Sequence, residues 1–328
     1  MVSRVVLDLV ERIGALPVRG TADIALGPGD ESTVAAWCAR TGNELVAVHD
    51  AVAVVRRGRP LDDLDDVPAG QRPGARLWMY TNFDCNLACD YCCSASSPQA
   101  ARKALGLDRI RQVVAEAADA GVSELYLTGG EPFLLTDLDE IVAVCVAALP
   151  TTLLTNGMLF RGSRLAMLRR MPRALTLQIS LDSPTPLLHD RHRGAGSWQR
   201  ARDGIQSALA EGFRVRVAAT IAPAEPFSAE DFHAFLDGLG IPRADQVIRP
   251  IAQQGFADDG LQLTVETLLP EVTVTADGVY WHPVGAVNTQ QLVTTDIFPL
   301  DKAIAEVHAR FTEYRRTAAH AAERFPCA

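Results

Sequence analysis

Three cysteines stand in the run Cys85-Asn86-Leu87-Ala88-Cys89-Asp90-Tyr91-Cys92, and Cys93 follows directly. Thiols at i, i+4 and i+7, in a loop behind the apolar run 77–81, can converge on one soft metal centre: zinc, copper(I) or iron-sulfur. A structural zinc takes four ligands. Its fourth would have to be Cys93, which adjoins Cys92 and is awkward for the same ion. Three thiolates on a four-iron cluster instead leave one iron open for a substrate or cofactor. Seven cysteines in 328 residues are too few for a disulfide scaffold, so the crowding asks for a chemical reason.

Polar groups follow other apolar runs. Behind 124–128 come Gly129, Gly130 and Glu131: glycines let the backbone approach a ligand closely, and Glu131 offers a carboxylate or carbonyl acceptor to a cationic amine. Asn156-Gly157 follows 151–155 and reads as a polar contact or simply a turn. Ser180 and Asp182 close the run 174–181, where Asp182 is a ligand contact or a helix cap. Arg191, Arg193 and Arg249 could each bind a carboxylate or phosphate through a guanidinium fork, or be solvated loop arginines.

The elements that must position these groups are six apolar runs, 77–81, 124–128, 151–155, 174–181, 214–221 and 246–251, separated by helical patterns. Ile110, Val113, Val114 and Ala117 fall at i, i+3, i+4 and i+7, with Gly121 placed to end that helix. Repeated βα units imply an α/β fold with a parallel sheet, and six units make a partial, open-sided (β/α)6 TIM-like barrel with chemistry at the carboxyl ends of its strands. Before it, 1–60 alternates helix, strand, helix, strand, strand as a small α/β module. A Pro/Gly/Asp-rich linker follows at 61–73, and the barrel covers 74–260. Residues 261–328 read as a short hairpin-helix cap, turning at Asp277-Gly278 and ending in a helix near 300–323.

Hydrophobic residues at 48% and charged residues at 22% describe a globular chain and exclude a disordered or fibrous one. The formal charge of −9 argues against nucleic acid or anionic membranes as partners. The most apolar stretch, 141–149, is too short to span a bilayer, and the first residues carry no export pattern, so a cytoplasmic location is expected.

Cys85-x3-Cys89-x2-Cys92, with Tyr91 before the third cysteine, resembles the cluster motif of radical S-adenosylmethionine (SAM) enzymes. Thr128-Gly129-Gly130-Glu131-Pro132 resembles that family's "GGEP" motif. The resemblance covers about 77–254. It implies a 4Fe-4S cluster on Cys85, Cys89 and Cys92, with SAM on the open iron, cleaved reductively to methionine and a 5'-deoxyadenosyl radical that takes hydrogen from a substrate. It further implies SAM contacts at Gly129, Gly130, Glu131, Tyr91, Asn156, Ser180 and Asp182, and an external electron donor such as flavodoxin or ferredoxin.

Asp190-Arg191-His192-Arg193-Gly194 with Ser197-Trp198, and Arg249-Pro250 with Gln254-Gly255, resemble the subgroup carrying SPASM or twitch extensions. There a cysteine ligand follows the "DG-x-Y" turn; here His282 stands in its place, and Cys327 is the one cysteine after Cys145. The cap is therefore expected to hold no auxiliary cluster, which favours redox-neutral or hydrogen-returning chemistry, with Cys327, Cys93 or Cys145 as candidate hydrogen donors. Residues Pro28-Gly29-Asp30-Glu31-Ser32-Thr33 and Trp37-Cys38-Ala39-Arg40-Thr41-Gly42-Asn43-Glu44-Leu45-Val46-Ala47 resemble part of the TusA/SirA-like sulfur-carrier fold, without its acceptor-cysteine motif.

The expected function is hydrogen abstraction from a small-molecule substrate, a sugar, nucleoside or related natural product, giving epimerisation, elimination or rearrangement. Peptide modification and sulfur insertion are alternatives within the family. From another class, the rival is a non-catalytic, metal-stabilised module that carries sulfur or binds a partner.

Overall fold

Near-continuous apolar runs belong in strands covered on both faces. That is where they lie in the computed structural model, which describes residues 4–58, 67, 69–221, 229–265 and 268–324. Residues 69–307 form one compact unit, and the described residues up to 67, with those from 308, form another. No described helix is long and apolar enough to cross a membrane.

The smaller unit holds α1 (Arg4–Gly14), β1 (Thr21–Ala25), α2 (Asp30–Thr41), β2 (Glu44–His49) and β3 (Val52–Arg56). The strands are antiparallel in the order β1-β3-β2. Leu9, Ile13, Ile24, Val34, Trp37 and Val55 form the core between helices and sheet.

The larger unit repeats strand and helix: β4 (Arg76–Asn82), α3 (Leu107–Ala117), β5 (Glu124–Gly129), α4 (Leu138–Ala148), β6 (Thr151–Thr155), α5 (Gly162–Arg170) and β7 (Thr176–Ser180). It continues with α6 (Pro186–Arg193), α7 (Ser197–Ala210), β8 (Arg214–Ile221), α8 (Ala229–Gly238) and β9 (Gln246–Pro250). Strands β4 to β9 are parallel and each pairs with the next, so their carboxyl ends share one edge. Leu77, Leu125, Leu127, Leu153, Leu177, Ile179 and Val217 are fully buried along them. Each such side chain stabilises the fold by about 1.5–3 kcal/mol relative to exposure. Ile110, Val113, Val114 and Ala117 are the buried face of α3, and Gly121 ends its run with φ 81°.

Two features depart from the sequence expectation. The crossover between β7 and β8 carries two helices, because Pro186 starts α6 and Gly194 ends it after eight mostly polar residues that show no amphipathic period. The hairpin β10 (Thr273–Thr275) and β11 (Gly278–Tyr280) is continuous with the barrel sheet: β10 lies parallel to β4, pairing Thr273 with Trp78 and Val274 with Met79. β12 (Leu292–Thr294) extends this to nine strands. An unpaired β4 would expose a row of backbone donors and acceptors, and the hairpin covers it. The last helix, α9 (Leu300–Arg324), begins in this unit, where Leu300, Ala303, Ile304 and Val307 are buried.

Candidate active site

The carboxyl ends of all six parallel strands open on a cavity of about 450 Å3. Tyr80 of β4, Gly129 of β5, Thr155 of β6, Ser180 of β7, Thr220 of β8 and Arg249 of β9 each border it. Cys85, Cys89, Cys92 and Cys93 stand in its wall, none of them in a disulfide.

The cysteine loop is held by its own backbone. Cys85 N–H donates to Ser97 O at 3.2 Å and Cys92 N–H to Cys89 O at 3.1 Å. Two sulfurs also accept: Cys85 Sγ from Leu87 N–H and Cys92 Sγ from Ser96 N–H, both at 3.4 Å. Burial pushes the Cys85 thiol up to about 12 and the Cys89 thiol to about 11, so metal must displace their protons. Cys89 and Cys92 add to the cost of ionising Cys85, and Cys92 adds to that of Cys89, while Cys93 feels Cys92 and Arg249. The thiols border a space rather than a point: among the described residues no three His, Cys, Asp or Glu groups are tight enough to hold a single ion.

The glycines border the cavity and are also packed against backbone on their other side. A Cβ on Gly129 would lie 2.3 Å from Asn82 O, and one on Gly130 2.1 Å from Asp84 O. Their bareness permits the close approach of the β5 end to the chain entering the cysteine loop, where Gly130 N–H donates to Asn82 O and Glu131 N–H to Asp84 O. Gly255 does the same from the other side, its absent Cβ facing Cys92 O at 2.2 Å. Gly130→Ala is therefore expected to destabilise the protein by about 1–3 kcal/mol by overpacking. It should also lower the iron retained after reconstitution, read as denaturation midpoint and iron per chain; wild-type values for both would refute this packing role.

Glu131 lies behind the cavity wall, completely buried. Its Oε1 accepts from Phe133 N–H at 3.0 Å and Thr155 Oγ1–H at 2.8 Å, and its Oε2 from Asn156 N–H at 2.8 Å. Burial raises its pKa while these donors pull it down, and burial prevails. The carboxylate thus fixes the turn after β6. Asn156 borders the cavity, with Nδ2 donating to Asn86 Oδ1 at 2.8 Å and Oδ1 accepting from Met158 N–H at 3.0 Å. That ties the turn to the cysteine loop.

Asp182 is likewise behind the wall. It accepts from Arg193 Nε at 2.5 Å and Nη2 at 3.2 Å, from the Tyr91 hydroxyl, and from Thr220 N–H at 3.0 Å. Its own N–H donates to His189 Nδ1 at 3.1 Å. Arg193 and Tyr91 border the cavity, with the guanidinium 5.4 Å from the ring centroid. Asp182 therefore orients the two side chains that flank Cys89. No spacing in the sequence announced this partnership, though Asp182 and Arg193 were both singled out.

The opposite wall comes from the hairpin and the segment after β9. His282 Nδ1 accepts from Val284 N–H at 3.2 Å, and burial lowers the ring's pKa to about 4, leaving a neutral imidazole with its proton on Nε2. Glu271 accepts from Trp78 Nε1–H and from Arg76 Nη1 at 3.4 Å. Glu271 and Trp78 border the cavity but went unremarked in the sequence; they lie 193 positions apart, and only the β10–β4 pairing brings them together. Cys327 lies outside the described residues.

Residues 79–239 match the profile of the radical SAM superfamily. That stretch is a radical SAM domain. Relatives include the antilisterial bacteriocin subtilosin biosynthesis protein AlbA of Bacillus subtilis, 31% identical over 158 residues, 48% of this chain and 35% of that protein. Molybdenum cofactor biosynthesis protein 1 of Drosophila melanogaster is 33% identical over 170 residues, 50% of this chain and 29% of its own. The match thus spans about a third of each relative's length. Among solved structures, anSMEcpe with bound AdoMet superposes with a TM-score of 0.55 at 13% identity, over 72% of this chain and 79% of that one. Streptococcus suis SuiB bound to S-adenosylmethionine does so at 0.50 and 20%, over 60% and 45%. These likenesses show the fold.

The cofactors of this radical SAM family, a 4Fe-4S cluster and SAM, suit the cavity found here. Three thiols in one cavity wall supply a soft donor set, and the strand ends add polar groups and bare backbone around the same space.

Proposed function

We propose that this radical SAM enzyme abstracts a hydrogen atom from a small polar metabolite of the sugar or nucleoside class, with epimerisation, elimination or rearrangement as the outcome. The observation that carries the reading is the single cavity in which the three thiols meet the carboxyl ends of all six parallel strands. Cys85, Cys89 and Cys92 hold the cluster; Gly129, Gly130, Asn156, Ser180 and Tyr91 border SAM. Bound there, the two cofactors would supply one-electron cleavage of SAM, with the electron from a donor such as flavodoxin or ferredoxin, and a 5'-deoxyadenosyl radical as hydrogen acceptor. Glu131 and Asp182 act from behind, holding the Asn156 turn and the Tyr91–Arg193 pair in place.

A cavity of about 450 Å3 that also takes the cofactor leaves space for a compact substrate. His282 stands in that cavity's wall at the position where the resemblance expects a cysteine ligand, and the lack of cysteines between Cys145 and Cys327 supports a cap without a second cluster and a reaction without net oxidation. Cys327 or Cys93 would return the hydrogen. Similarity to AlbA, a bacteriocin biosynthesis protein, supports a second reading in which the substrate is a peptide side chain. Sulfur insertion through the amino-terminal, TusA-like unit finds no support in Cys38, whose thiol is buried and pushed up to about 11. We assign that unit to packing, partner docking or substrate recognition.

Anaerobic reconstitution followed by reduction with SAM tests the reading. About four irons per chain, a spectrum altered by SAM and release of 5'-deoxyadenosine are expected. One zinc per chain and no 5'-deoxyadenosine would instead establish the non-catalytic binding module.

A further inference from the structure

Two arginines border the cavity, and their situations differ. Arg193 is committed to Asp182, and burial alone does not neutralise it, because that carboxylate raises its pKa. Arg249, at the end of β9, has Nε 3.4 Å from Thr220 Oγ1 and, among the described residues, no carboxylate partner. The acid that borders the cavity, Glu271, is held by Arg76 and Trp78. Arg191 is exposed on α6 and does not border the space.

The charge on Arg249 is felt inside the wall, at Tyr80, Cys93 and His282. The neutral His282 beside it keeps its proton on Nε2, because Nδ1 is occupied by Val284 N–H. A guanidinium fork with free donors and an imidazole N–H at one end of a largely apolar space, with Ile251, Leu261 and Leu263 beyond, form a site for an anion. An anion entering without them would lose its hydration uncompensated.

We propose that the substrate carries an anionic group, a carboxylate or a phosphate, that pairs with Arg249 and takes a second hydrogen bond from His282. The word "substrate" rests on the radical SAM reading; the anion site itself does not.

The test uses reconstituted holoenzyme under anaerobic conditions, with inorganic phosphate and propionate as probes and the melting temperature as readout. At least one probe should raise it, and R249Q should shift half-saturation about tenfold or more upward, with R249K, which keeps the charge and loses the fork, in between. A response to phosphate alone assigns a phosphorylated substrate, and a response to propionate alone a carboxylate. Three results would overturn the proposal: no response to either probe in wild type, an equal response in R249Q, or a response that saturating SAM abolishes, which would hand the site to the cofactor. Failure of wild type to release 5'-deoxyadenosine would sink the enzymatic reading while leaving the anion site standing.

Discussion

Cys89→Ala is expected to leave less than about one iron per chain after reconstitution and to cut 5'-deoxyadenosine release at least about 1,000-fold. Cys89 is the middle thiol of the three in sequence; it is buried, and the charge of Arg193 is felt at its sulfur. A methyl group offers iron no donor, and two remaining thiolates cannot hold a cluster that already relies on three. Cys93→Ala is the matched control, since it also removes a thiol, half-buried, from the cavity wall. Because Cys93 faces Arg249 and Tyr80 as well as Cys92, that variant should retain about four irons. Undiminished 5'-deoxyadenosine from the Cys89 variant, or equal iron loss in both variants, would mean that the ligand assignment is wrong.

The six parallel strands were legible because strands buried on both faces must be apolar almost throughout, and each run is followed by residues whose chemistry would be wasted in a core. The buried face of α3 was legible for the complementary reason: its apolar residues keep a period of 3.6. Hairpin strands of three residues have no period to read, so the pairing of β10 with β4, which builds the far wall of the cavity, could not be foreseen.

At the site, composition and order located the right loops but not the facing of each side chain. Glu131 follows Gly130 in the chain, yet it turns behind the wall while its neighbour borders the cavity. Gly129 and Gly130 were legible as places of close approach, but what approaches them is the cysteine loop's own backbone. Three arginines were equivalent on paper. The carboxylate of Asp182 is what separates Arg193 from Arg249, and its position depends on the end of β7 and on α6, a helix too short and polar to announce itself.

Removing that carboxylate should have the largest effect on stability. Asp182→Ala leaves Arg193, whose side chain is 11% exposed, without its counter-charge, and breaking such a buried pair costs about 3–5 kcal/mol. The Tyr91 hydroxyl and Thr220 N–H lose their acceptor as well. Combining Asp182→Ala with Arg193→Met removes the stranded charge and should recover much of the loss, a non-additivity read from urea midpoints. The pH dependence separates this pair from its neighbours. Burial pushes the Asp182 pKa up, but the charge and hydrogen bonds of Arg193 outweigh it and hold it below the usual 3.8. Its contribution is therefore complete above about pH 4 and lost as pH falls through the lower, folded value. His189 and His282, buried and lowered to about 4 from 6.5, act in a different window: the unfolded chain gains their protons first, so stability already declines as pH falls from 6.5 to 4. Wild type should show both declines, and Asp182→Asn should keep the upper one while losing the lower. A variant as stable as wild type at pH 7, or one with an unchanged acid limb, would show that the Asp182–Arg193 pair does not hold this side of the cysteine loop.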